Sequence, residues 1–109
     1  MSREFYEPDW KILRELSPVA LERFCKGVLA EVAQLSSETG KSEHDRYLAV
    51  YTLIKRRDKE LANAFNDLRR STALLSLMHM YSHKLLAPDE FARFSPETRA
   101  SVEGLLRIP

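Results

Sequence analysis

The sequence contains few of the residues that interrupt helices or build phosphate-binding loops. Its 109 residues include three glycines and five prolines, and neither residue occurs between Lys41 and Ala87. Such long uninterrupted stretches favour helices over strands and turns. Three well-separated glycines also cannot build the glycine-rich loops that hold phosphates. We therefore predict an all-α fold without a nucleotide-binding loop.

Cysteine, charge bias and long apolar runs are scarce as well. The single cysteine, Cys25, excludes an internal disulfide and lies on the apolar side of a predicted helix, where it fits a small core residue. Seventeen basic and sixteen acidic residues leave a formal net charge of +1, without the basic excess of a typical nucleic-acid-binding protein. No apolar stretch is long enough to span a bilayer, and the N-terminus lacks the features of a signal peptide. These features favour a cytoplasmic protein that does not enter the membrane.

The spacing of apolar residues and helix-start signals predicts a small bundle of about five helices. We expect an N-terminal arm at residues 1–8 and a single helical domain at 9–109, with helices at 9–16, 18–36, 43–70, 72–86 and 96–107. Ser17-Pro18 and Ser95-Pro96 are typical helix starts, because serine can cap the first turn and proline fits its first position. Ser42 to Asp45 resembles a capping box.

The segment 43–86 contains a conflict between its two halves. On a helical wheel, the apolar stripe from Tyr47 to Leu68 points away from the later apolar residues between Leu74 and Leu85. Either the helix breaks near Arg69 to Thr72, or one long helix has its second half covered by a partner subunit. An unbroken helix of about 44 residues would span about 65 Å. That is long for a domain whose expected radius of gyration is about 13 Å, so we favour the break.

Asp58 is the one carboxylate within the apolar stripe of this segment, between Ile54 and Leu61. An enclosed carboxylate needs a partner, because an unpaired buried charge is very costly. We predict a buried ion pair between Asp58 and Arg14 or Arg23 that helps to specify the fold.

The favoured functional hypothesis is a non-enzymatic helical interaction or regulatory module that self-associates, most simply as a homodimer. Its motivation is the high apolar content of residues 73–86, which leaves only a narrow polar stripe. The residues predicted to mediate self-association are Leu74, Leu77, Met78, Tyr81 and Leu85. We predict no catalytic residue, metal ligand or cofactor.

Two alternatives remain open. A small nucleic-acid-binding regulator could use the basic residues of Lys55–Lys59 together with Arg69 and Arg70, although interleaved acidic residues make nucleic acid the less favoured partner. A metal-binding protein could use His79 and His83, which lie one helical turn apart, but the local pattern supplies no third ligand.

Overall fold

In the computed structural model, residues 5–108 are described and form five helices. The helices are α1 (Glu7–Ser36), α2 (Glu43–Phe65), α3 (Ala73–Ser82), α4 (Pro88–Phe91) and α5 (Pro96–Leu106). No strand occurs within these residues. The predicted all-α bundle is therefore confirmed.

Helix α1 is continuous over 30 residues, and Pro18 lies inside it. The helix start predicted at Ser17-Pro18, which divided this region into helices 9–16 and 18–36, is wrong. An internal proline removes one amide donor and crowds the preceding turn. The helix nevertheless continues because Leu13 and Leu16 before the proline and Ala20 after it are all buried in the same core. Burial of this shared face outweighs the local penalty.

Helix α2 begins where the capping signal predicts and ends earlier than predicted. The Ser42 side chain accepts a hydrogen bond from the Asp45 amide at 3.0 Å. After Phe65 the chain leaves the helix, and Asp67 adopts a left-handed backbone conformation with φ of 59°. The Thr72 hydroxyl accepts from the Arg69 amide at 3.0 Å and donates to the Asp67 carbonyl at 2.7 Å. The predicted break is thus confirmed, and the single helix over 43–86 is wrong.

Helix α3 ends in a Schellman motif that turns the chain back towards the core. Lys84 takes the left-handed position, with φ of 59°, that glycine usually occupies. Its amide donates to the Tyr81 carbonyl, and the Leu85 amide donates to the Met80 carbonyl, both at 3.0 Å. Leu85 and Met80 are both buried, so the motif directs the following segment across the bundle.

The core lies between the first half of α1 and the C-terminal helices. Its largest enclosed side chains are at most 1% exposed and come from α1, α3, α5 and the turn before α5: Leu13, Leu77, Met80, Phe94 and Val102. Asp9 on α1 closes this core against α5. Its carboxylate accepts from the Ser95 amide at 2.9 Å and from the hydroxyls of Ser95 and Thr98 at 2.7 Å each.

The second half of α1 pairs with α2 in a two-helix extension, which we call the distal hairpin (residues 25–61). Leu53 is the one buried residue in this hairpin. The extension makes the molecule elongated, with principal extents of 52 × 28 × 24 Å and a radius of gyration of 16.6 Å. A compact domain of this length would have a radius of gyration of about 13 Å.

Candidate functional site

The five residues predicted to mediate self-association belong to the core of the protein. Leu77 and Leu85 are buried, whereas Leu74, Met78 and Tyr81 are half-buried and pack against the core. The two helices after α3 cover this apolar side, and the Tyr81 ring stacks on Phe91 of α4 at 4.1 Å. These residues therefore do not form an exposed docking surface, and this prediction is corrected.

Asp58 is exposed, so the predicted buried ion pair is also wrong. The stripe that contains Asp58 is half-buried against the core only from Leu61 onward, and Asp58 lies above that point on the distal hairpin. Arg23, one of its predicted partners, instead binds Glu90 through two hydrogen bonds of 2.6 and 3.0 Å. Among residues 5–108, the buried carboxylate is Asp9, which is 2% exposed.

The distal hairpin carries an uncovered apolar surface, which we call the distal apolar face. On α2 its residues follow a 4-3-4-3 spacing, and on α1 they recur at intervals of three and four, so each set lies along one side of its helix. The face consists of Cys25, Val28, Leu29 and Val32 on α1, and of Tyr47, Tyr51, Ile54, Asp58 and Leu61 on α2.

Large apolar side chains on this face are strongly exposed. Leu29 is 66% exposed, Tyr47 65%, Tyr51 56% and Ile54 43%. Isolated exposed apolar residues are ordinary on protein surfaces, but a contiguous patch on two paired helices is typical of an interaction site. The patch is therefore the strongest candidate functional site among the described residues.

A groove runs along this face between α1 and α2. It has a volume of about 370 Å³ and is lined by Phe24, Cys25, Val28, Leu29, Ile54, Arg57, Asp58 and Leu61. Two of these eight side chains are charged. Arg57 is already engaged, because it binds Glu31 at 3.0 and 3.1 Å and Glu60 at 2.7 Å. The Arg57 hydrogen bonds lower the pKa of the Glu31 carboxyl, so Arg57 acts mainly as a bridge between the two helices.

The groove remains open because the C-terminal helices pack on another side of α1. Asp9 and Arg23 bind residues 85–98. At 100° per residue, both point to the side of α1 roughly opposite Cys25. The other residues between 5 and 108 therefore do not cover the distal apolar face.

The predicted basic surface is divided between separate places and is partly neutralised. Arg57 faces α1 through its bond to Glu31, whereas Arg69 and Arg70 lie in the break after α2. Arg69 pairs with Asp67 at 2.7 Å. Arg70 pairs with Glu7 at 2.8 Å and lies 5.3 Å from the centre of the Trp10 ring. Arg57, Arg69 and Arg70 thus each pair with a carboxylate, and they do not combine into one basic surface.

The two histidines lie at the end of α3. Burial lowers the pKa of His79, and the nearby charge of His83 lowers it further. The His83 ring meets the Phe24 ring edge-on at 6.1 Å. Between residues 5 and 108, no three or more His, Cys, Asp or Glu side chains cluster in a way that could hold a metal. The histidine pair therefore lacks a third protein ligand in this part of the chain.

Comparisons with known proteins add no family to this description. The chain matches no protein-family model, no curated protein and no solved structure. Among the described residues, no helix combines the length and the apolar character that a bilayer span requires. The distal apolar face therefore remains the feature of this protein that bears most directly on function.

Proposed function

We propose that this protein is a non-enzymatic helical interaction module of the cytoplasm that self-associates as a homodimer through the distal apolar face. The observation that carries the proposal is the exposure of Leu29, Tyr47, Tyr51 and Ile54 on one side of a two-helix extension. Self-association was expected from residues 73–86, and the proposal moves it to a surface that the rest of residues 5–108 leaves open.

A two-helix layer with one apolar side is half of a common architecture. Helices bury such sides against a second layer, and two antiparallel hairpins packed face to face form a four-helix bundle. A second copy supplies a layer of matching length. The formal net charge of +1 also means that two copies repel each other only weakly.

The size of the face is compatible with the central part of a dimer interface. Each tyrosine side chain can bury roughly 150–250 Å², and a standard interface buries about 800 Å² on each partner. Tyr47 and Tyr51 lie one helical turn apart beside Ile54, with Leu29 across the groove. Apolar anchors surrounded by polar side chains are the usual anatomy of an interface.

Light scattering at micromolar concentration tests the proposal. We expect the wild-type protein to have about twice its chain mass of 12.6 kDa. The double variant Leu29→Asp/Ile54→Asp should be monomeric, because it places two charges in the interface. Leu75→Asp is the matched control, because Leu75 is 52% exposed but lies on α3, away from the distal hairpin. A wild-type protein that remains monomeric throughout this concentration range would contradict the proposal.

A further inference from the structure

Asp58 places a carboxylate inside the distal apolar face. It lines the groove between α1 and α2. At 100° per residue it points between Ile54 and Tyr51, so it does not lie at the edge of the apolar stripe. Asp58 is exposed and forms no ion pair with any residue between 5 and 108. Water therefore solvates this charge in the single chain.

The groove offers no free cation to Asp58 when a second copy covers it. Among the residues that line the groove, Arg57 is the one basic side chain. It already binds Glu31 through two hydrogen bonds and Glu60 through a third. A second copy presents the same face, so it brings a second Asp58 and another engaged Arg57. The charge balance of the contact is thus the same in any register that encloses the groove.

An unpaired carboxylate opposes the covering of an apolar surface. Its charge loses the surrounding water, and this loss is costly unless a partner replaces the water. The neutral carboxylic acid loses much less, so burial shifts a carboxyl group towards its protonated form. Two distal apolar faces therefore pack together more readily when each Asp58 carries a proton.

The other ionisable side chains in and beside the groove keep their charge in mild acid. Cys25 faces Asp58 from α1, and a thiol stays neutral and an arginine stays charged between about pH 5 and 7. The Arg57 hydrogen bonds lower the pKa of the Glu31 carboxyl, so this bridge stays ionised. The charged side chains at the outer edges of the face include Glu22, Lys26 and Lys55.

Two histidines of α3 lie close to the same part of the molecule. The His83 ring meets the ring of Phe24, which lines the groove, and burial lowers the pKa of His79. Histidine changes charge within about pH 5–8. A pH response of the wild type alone therefore does not identify its source, and a substitution of Asp58 is needed to separate the two.

We propose that Asp58 couples self-association through the distal apolar face to proton uptake, so that the homodimer tightens in mild acid. The inference rests on the proposed self-association and adds its regulation. Each association takes up protons from the solvent, at most one for each Asp58 carboxylate. At neutral pH the charge limits the affinity that the surrounding apolar residues would otherwise give.

Sedimentation equilibrium of the full chain at about pH 7 and about pH 5 tests the coupling. We expect the dissociation constant of the wild-type dimer to be at least about tenfold lower at the acidic pH. Asp58→Asn removes the charge and keeps the shape of the side chain. It should dimerise at least about tenfold more tightly than the wild type at pH 7 and change less than about threefold between the two pH values.

Glu103→Gln is the matched control, because it removes an exposed carboxylate on α5 and raises the net charge by the same amount. It should keep the dissociation constant and the pH dependence of the wild type. Circular dichroism of each variant at both pH values confirms that the chain is folded.

Several outcomes overturn the role of Asp58 while a dimeric wild type still supports the proposed function. One is a pH dependence that persists in Asp58→Asn, since another group would then be its source. Another is an Asp58→Asn protein that dimerises as weakly as the wild type at pH 7, or more weakly, since the charge would then not oppose the contact. A wild type that is monomeric at both pH values overturns the coupling and the proposed function together.

Discussion

At the scale of single residues, Asp9 is held by donors that lie far away in the sequence. Its carboxylate is 2% exposed and accepts three hydrogen bonds from Ser95 and Thr98. It also lies at the N-terminus of α5, where the helix dipole favours negative charge. A loss of this carboxylate leaves buried donors without an acceptor.

We predict that Asp9→Ala lowers the free energy of unfolding by about 2–4 kcal/mol, from the lost charged hydrogen bonds and the buried donors left without an acceptor. Asp9→Asn keeps one acceptor oxygen and should lose less. Urea denaturation followed by circular dichroism measures both values. Glu103→Ala, at an exposed position of α5, is the control and should stay close to the wild type. An Asp9→Ala protein as stable as this control would contradict the assigned role.

The two aspartates show which residue roles the sequence could not predict. The donors to Asp9 lie 86 and 89 residues away along the chain, so no local pattern connects them. For Asp58 the local pattern is clear, but the burial of the residue could not be predicted from it. Its place in the apolar stripe is evident from spacing, but a stripe shows that one side of a helix is apolar and does not show what covers that side. The expected burial was therefore wrong, although the stripe itself was correctly located.

At the scale of helices, local signals identified starts better than ends. Ser42 and Ser95 both cap the helices they were predicted to cap, because a capping hydrogen bond involves residues three positions apart. Pro18 carries the same local signal but lies inside α1. Its role depends on the core that α3 and α5 build around Leu13 and Leu16, which local spacing cannot reveal.

The ion pair between α1 and α4 makes the attachment of these helices depend on pH. Arg23 binds the Glu90 carboxylate at 2.6 and 3.0 Å and also donates to the Leu85 carbonyl at 2.8 Å. The Arg23 hydrogen bond lowers the pKa of Glu90, and a hydrogen bond from the Ala87 amide lowers it further. A lowered folded-state pKa contributes stability above the ordinary glutamate pKa of about 4.3, and this stability is lost as the pH falls through the folded value.

We therefore predict that Glu90→Gln lowers the melting temperature at pH 7 and that its difference from the wild type narrows at about pH 3. Thermal denaturation by circular dichroism at the two pH values checks this. Glu22→Gln, on an exposed part of α1, serves as the control. If Glu90→Gln lowers the melting temperature equally at both pH values, the charge of the Glu90 carboxylate is not the cause of the lost stability.

At the scale of the whole molecule, the elongated shape separates a core from a surface available to a partner. Cys25 reports on that surface, because it is the single cysteine, is half-buried and lines the groove. Self-association should cover Cys25.

The all-α class and the break in 43–86 followed from periodicity in the sequence. The division between core and distal hairpin did not, because it depends on where α3 to α5 pack.

We predict that maleimide alkylation of Cys25 slows as the wild-type protein is concentrated from about ten nanomolar to about ten micromolar, since the dimer fraction rises by mass action. The Leu29→Asp/Ile54→Asp variant should react at one rate throughout. Alkylation is followed by mass spectrometry at equal reagent concentration. A wild-type rate that does not change with concentration would place Cys25 outside the dimer contact.

The Asp9 contact also has a consequence for the order in which the protein is made. Synthesis proceeds at about 5–20 residues per second, and the hydrogen-bond donors to Asp9 come 86 and 89 residues later. For seconds, the growing chain therefore contains helices α1 and α2, but not the segment that secures α1. A nascent chain interrupted before Ser95 would leave this carboxylate unsatisfied, so the fold cannot close around Asp9 until Ser95 and Thr98 have been synthesised.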